Sequence, residues 1–198
     1  MKYLFIGAHA DDVELCCGGT ISKLNQAGNE VHTMAFSNCK SDQIDEEWAL
    51  STSIMNLKIA KLAEFENRVF DKCRQQILDK MIDLQRQFSY DYVFTHSIFD
   101  GHQDHKVVAQ ESIRAFKSTN LISYIAPWNQ IGHNPADNYF VELKSHHIEK
   151  KIEACMCYKS QRHRPYMNDD FLWAQARIAG IKCQSEFAEA FQVLKLKS

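Results

Sequence analysis

The chain has 198 residues, with 23 Lys and Arg against 25 Asp and Glu, a net charge of −2, 45% hydrophobic residues and 24% charged ones. That length suits one domain, numbered here 1–198, around one sizeable core, and leaves no room for a second large domain. The near-zero charge excludes a global basic field for nucleic acid, and the balance of residue types excludes a disordered or fibrous chain.

The N-terminal apolar run, Tyr3 to Ala8, ends at His9, Asp11 and Asp12. It is too short for a secretion signal and reads as a buried strand. No window approaches the 18 apolar residues of a membrane span. Gly18-Gly19-Thr20 is read as a turn and helix entry, with a helix closing at Gly28 and a second strand over Val31 to Phe36. Residues 42–63 have helical composition. From Val69 the apolar residues recur at Cys73, Ile77, Met81, Leu84 and Phe88, the spacing of one helix face. Tyr92 to His96 reads as a strand, Lys106 to Phe116 as a helix and Leu121 to Ile125 as a strand. Helices follow near 145–158 and 169–179, then a last strand near Phe191 to Leu194. Alternating strands and helices predict an α/β fold: a single Rossmann-like three-layer domain with a mainly parallel sheet.

The seven cysteines are an odd count with no C-x-x-C pair. They read as reduced, buried small side chains in a cytoplasmic protein, outside any metal chemistry.

In an open parallel sheet the ligand site lies at the carboxyl ends of the strands. Two polar loops fall there, His9-Ala10-Asp11-Asp12 and Asp100-Gly101-His102-Gln103-Asp104-His105. Acids clustered at one edge repel one another, and a bound cation resolves that repulsion. His9 and Asp12 are three apart, as are His102 and His105. Adjacent Asp11 and Asp12 diverge, so one can bind metal while the other faces substrate. Two His and one carboxylate leave an open position for water, the composition of catalytic zinc. The other histidines, His96 and His133 among them, read as scattered surface or core residues, and Cys16-Cys17-Gly18-Gly19 matches no nucleotide-binding motif.

The stretch Ala8 to Thr20 resembles the AHPDD-x-E-L-G-C-G-G-T signature of the PIG-L/LmbE-like N-deacetylases, and Asp100 to His105 resembles that family's D-x-H-x-D-H motif. The likeness continues through Ser160-Gln161 and Phe187-Ala188-Glu189-Ala190-Phe191, so it covers nearly the whole chain. The resemblance implies His9, Asp12 and His105 as ligands of Zn²⁺ or another divalent transition metal. It implies Asp11 as general base, His102 as general acid or oxyanion stabiliser, and Asp104 as the partner that orients His102. It also implies a small N-acetylated sugar substrate of the N-acetylglucosamine type. Asp100 and Trp128 are the expected substrate contacts, with Asn129 and His133 in the same loop as Trp128. A homo-oligomer is the expected assembly.

The departures bear on specificity. Ala10 replaces a Pro, Tyr158 stands where His is frequent, and the region from Gln43 to Trp48 lacks the family's Arg. An acyl hydrolase of a non-sugar amide, a non-catalytic sugar-binding domain and a His₂-carboxylate Fe(II) oxygenase are the alternatives.

Overall fold

The computed structural model describes residues 1–130, 132 and 136–197. His133 lies outside the described residues. The first strand, β1 (Lys2–His9), is followed by α1 (Asp12–Gln26), β2 (Glu30–Ser37), α2 (Asp42–Ile54) and β3 (Ile59–Leu62). Then come α3 (Arg74–Phe88), β4 (Tyr92–His96), α4 (Gln103–Ala115), β5 (Asn120–Tyr124) and β6 (Tyr139–Leu143). The chain ends with α5 (Ser145–Cys155), α6 (Asp169–Lys182) and β7 (Phe187–Lys195).

The seven strands form one sheet in the order β3-β2-β1-β4-β5-β7-β6. β1, β2, β3, β4 and β5 pair in parallel, and β7 runs antiparallel to both β5 and β6. Alternation along β1 builds the layers. Leu4, Ile6 and Ala8 face Ile77 and Met81 of α3 and Val107 and Val108 of α4. Phe5 faces the other way, onto Val13, Cys17 and Ile21 of α1, and stacks on Phe94 of β4 at 4.5 Å. The strand order reverses between β1 and β4, so their carboxyl ends open a crevice.

Four elements differ from the sequence reading. Gly18-Gly19-Thr20 is no helix entry, because it lies inside a helix that already begins at Asp12. The glycines answer to packing: a Cβ on Gly18 would lie 2.8 Å from Lys151 Cγ, and one on Gly19 would lie 2.5 Å from Leu143 Cδ1. There the N–H groups of Gly19 and Thr20 donate to the carboxylate of Glu189, at 3.0 and 2.7 Å, and that buried carboxylate pairs with Lys151 at 2.7 Å. The helical composition of 42–63 stops at Ile54, and residues 59–62 become an edge strand on β2. Tertiary pairing overrides local propensity in that segment.

Val69 precedes the helix rather than starting it, since a short 3₁₀ turn over Phe70–Cys73 comes first. Asp104 pins that segment by accepting from the N–H groups of Arg68 and Phe70, at 2.7 and 3.4 Å. The last strand is longer than expected, and β6 (YFVEL), its antiparallel partner, is absent from the sequence reading although its aromatic and β-branched residues suit a strand. No helix among the described residues is long and apolar enough to cross a membrane.

Candidate active site

β1 delivers His9 to the crevice, and the turn into α1 puts Asp11 at the N-cap and Asp12 in the first helical position. A helix N-terminus carries partial positive charge, which suits both acids. β4 and its loop bring Asp100, and α4 begins with His102 as its N-cap. The two loops meet across the crevice. His9 Nδ1, Asp12 Oδ2 and His105 Nε2 form a triangle with sides of 3.4, 3.4 and 3.3 Å. Tetrahedral coordination with bonds of about 2.0–2.1 Å sets neighbouring ligand atoms about 3.3–3.4 Å apart. The donor set therefore fits a zinc-like divalent ion, and all three of its residues line the cleft. Among the described residues no cluster of three metal-competent side chains includes a cysteine, and all seven cysteines are free.

Each histidine of the triangle has a carboxylate on its other ring nitrogen. His105 Nδ1 lies 3.0 Å from Asp100 Oδ2, and His9 Nε2 lies 3.2 Å from Asp104 Oδ2 and 3.0 Å from Asn67 Oδ1. Such outer partners set the tautomer and raise the basicity of a ligating imidazole. Two expectations are corrected by this. Asp100 is fully buried behind His105 and contacts no cleft, because its other oxygen accepts from the N–H of His102 at 2.8 Å. Asp104 orients His9 rather than His102, since the first turn of α4 aims its carboxylate back toward β1. His102 is held instead by the backbone N–H of Asp104, which donates to its Nδ1 at 3.2 Å. Nδ1 is thus an acceptor, and the proton of the neutral ring sits on Nε2.

Burial, then the charges of His105 and His9, push His102 down to about 4, so it is a neutral imidazole at pH 7. Burial, then the neighbouring Asp12 charge, raise Asp11 to about 6. Asp12 is held well below the usual carboxylate range, against the cost of burial, by His105 and His96. Burial opposes a charge on His9, yet its bonds to Asp104 and Asp12 lift it well above the ordinary value.

The sequence reading gave no site role to several residues that the structure sets at or beneath the cleft. His96 closes β4 as His9 closes β1. It stacks on His105 at 3.8 Å and accepts from the N–H of Ala8 at 2.9 Å. Its place at a strand end was the available clue. Beneath the first loop, burial raises Glu14 to about 8. Tyr158 Oη sits 2.7 Å from Ala10 O and 3.0 Å from Glu14 Oε1. A phenol has one proton, so Ala10 takes it and a protonated Glu14 supplies the second bond. Glu47 clamps Ser160 through its N–H at 2.9 Å and its hydroxyl at 2.5 Å.

The cleft over the triangle holds about 430 Å³. Its walls include Asp11, His102, Ile44, Trp128, Asn129 and Tyr166. Trp128 lines this cleft, and one face of its ring is taken by Tyr166, stacked at 3.7 Å and 7°.

Comparison with known proteins places the chain among relatives. The family model described as "PIG-L: GlcNAc-PI de-N-acetylase" matches residues 4–116, more than half of the chain. YaiS of Escherichia coli K12, described as an uncharacterized deacetylase, is 27% identical over 168 residues, which cover 79% of this chain and 90% of YaiS. The conserved protein TT1542 of Thermus thermophilus has a TM-score of 0.83 at 21% identity, with 99% of this chain and 96% of that one covered. The N,N'-diacetylchitobiose deacetylase of Pyrococcus horikoshii has a TM-score of 0.79 at 19% identity, with coverages of 98% and 83%. At such identities the two structures speak for a shared fold.

Proposed function

We propose that this chain, which belongs to the PIG-L family, is a metal-dependent amidohydrolase that removes the N-acetyl group from an N-acetylated amino sugar or sugar conjugate. His9, Asp12 and His105 would hold the metal, with zinc the best fit. The observation that carries this reading is the near-equilateral donor triangle, backed by two buried carboxylates and open to a cleft that Asp11 lines. A divalent ion there supplies Lewis-acid polarisation of the acetyl carbonyl and acidifies a water.

The remaining chemistry belongs to the chain. Asp11, raised to about 6, is a carboxylate at pH 7 and takes the proton of the attacking water. His102, neutral with its proton on Nε2, donates a hydrogen bond to the carbonyl oxygen as negative charge develops there. An amide nitrogen leaves only once protonated, and Asp11 now carries the proton to give it.

The parallel α/β sheet argues against the oxygenase alternative, whose triad belongs to all-β jelly rolls. Ile44 in the cleft wall keeps one second reading, an acyl hydrolase acting on a less polar, non-sugar amide. The seven free cysteines fit a reducing, cytoplasmic setting. The test is to assay the zinc-loaded protein by mass spectrometry against acetylated amino sugars and acetylated non-sugar amines. Loss of one acetyl mass from the sugars supports the proposal. Loss from the non-sugar amines alone selects the second reading, and loss from neither refutes both.

A further inference from the structure

Asp11 is the N-cap of α1, yet its side chain makes no capping bond. An N-cap carboxylate ordinarily accepts from the N–H groups of the first turn. Without that tether, the position of Asp11 in the cleft is set through the backbone on either side of it. Local bonds hold part of that backbone. The N–H of His9 donates to Asp12 Oδ2 at 2.8 Å, and the carbonyl of Asp11 accepts from the N–H of Leu15 at 3.1 Å. Between them, the carbonyl of Ala10 accepts from Tyr158 Oη at 2.7 Å, and Tyr158 stands 148 residues away in the chain. The Ala10 carbonyl and the nitrogen and Cα of Asp11 belong to one planar peptide unit. Holding that oxygen therefore holds the start of Asp11.

Tyr158 is itself fixed. Its side chain is buried in a cluster with Leu15, Ile44, Trp48 and Leu172. Its N–H donates to Cys155 O at 3.1 Å, and Glu47 clamps Ser160, two residues further on. Its oxygen lies 3.0 Å from Glu14 Oε1, which in turn accepts from Ser51 Oγ at 3.1 Å. The Ser51–Glu14–Tyr158 series thus ends on the Ala10 carbonyl. Both ends of that last bond depart from the family signature, which has Pro at position 10 and frequently His at position 158. Proline locks its own φ, and alanine does not. This chain lacks that covalent restraint beside Asp11 and has a buried hydroxyl bound to the same residue instead.

We propose that Tyr158 is the positioning residue for Asp11: its hydroxyl, bound to the Ala10 carbonyl, keeps the base in place beside the His9–Asp12–His105 triangle and substitutes for the rigidity of a proline at position 10. The role of Asp11 as base rests on the amidohydrolase reading; the restraint of its loop by Tyr158 does not.

The test compares the zinc-loaded wild type, Tyr158→Phe, and Tyr158→Phe combined with Ala10→Pro. Hydrogen–deuterium exchange, read by mass spectrometry, follows segment 8–15, with segment 98–106 of the other loop as internal control. In Tyr158→Phe, segment 8–15 exchanges at least about fivefold faster while segment 98–106 keeps its wild-type rate. Kinetics with the acetylated sugar that the wild type turns over give the second readout. Tyr158→Phe lowers kcat at least about tenfold, the scale of a base displaced by a fraction of an ångström, with KM and zinc content within about twofold of wild type. Adding Ala10→Pro slows the exchange of segment 8–15 again and recovers most of the lost kcat. A hydroxyl acting directly on substrate could not be replaced in that way.

Unchanged exchange in segment 8–15 of Tyr158→Phe overturns the proposal, as does a kcat within about twofold of wild type. Faster exchange shared equally by both segments also overturns it, because Tyr158 then only stabilises the fold. So does a kcat that Ala10→Pro leaves unrestored in a folded double variant. If the double variant does not fold, the contrast between the two segments in Tyr158→Phe decides alone. Failure of the deacetylase reading shows separately, as no acetyl loss by the wild type while the exchange contrast stands.

Discussion

The two walls of the cleft are built on opposite plans. On the wall made by β1, β4 and the start of α4, nearly every polar atom is committed: His9 to Asp104 and Asn67, His105 to Asp100, and His102 to the backbone of Asp104. On the wall made by Trp128, Arg164 and Tyr166, aromatic rings stack on each other and an exposed guanidinium stands over one of them. The first arrangement suits chemistry, where a ligand or base displaced by an ångström loses rate. The second suits recognition, where donors must wait for a substrate. The difference teaches that reaction and specificity are separable here, and the following substitutions are chosen to separate them or to fail to.

The largest effect is expected at Asp11. Asp11→Asn should lower kcat by roughly 10²–10⁴-fold while metal content, read by elemental analysis, stays at the wild-type level. Full activity would remove Asp11 from the base role, and lost metal would make it a ligand. Next come the buried carboxylates. Asp104→Asn and Asp100→Asn should each weaken metal affinity by about 10–100-fold, measured by competition with a chromogenic chelator. An unchanged affinity would show that the orienting bonds do not tune the triangle.

A pH dependence of metal uptake ranks third. His9 binds a proton more tightly than an ordinary histidine, against the opposition of burial, because Asp104 and Asp12 hold the charged form. A metal needs the neutral ring, so uptake must displace that proton. Affinity should therefore fall as pH falls through the raised His9 value, by about tenfold per unit below it, and level off above it. Calorimetry in buffers of different ionisation enthalpy counts the proton released; a pH-independent affinity would contradict the assignment. The smallest effect belongs to the other wall. Trp128→Ala should raise KM by a few-fold, consistent with the loss of about 0.5–1.5 kcal/mol of aromatic contact, and leave kcat alone. A matching fall in kcat would mean that the walls are not separable.

Much of the chemical wall was legible because its residues are consecutive. His9 to Asp12 and Asp100 to His105 each sit in one loop after one strand, and parallel α/β topology brings such loops together. The partners were less legible. Whether Asp104 meets His102 or His9 depends on the direction of the first turn of α4, and motif spacing does not report that direction. His96 was passed over because a lone histidine on an apolar strand carries no pattern, although it ends β4. Gly18 and Gly19 read as a turn because their cause lies elsewhere, in Lys151 and Leu143, which reach the helix from α5 and β6.

By itself the sequence determined the α/β class, a mainly parallel sheet and the two polar loops. Each follows from hydrophobic periodicity or from neighbours in the chain, and these are local properties. Only the tertiary structure decided which carboxylate orients which histidine, that Asp100 is buried, and that Arg68 and Arg164 share one cleft. Those relations join segments far apart in the chain, and the packing of helices against the sheet sets them.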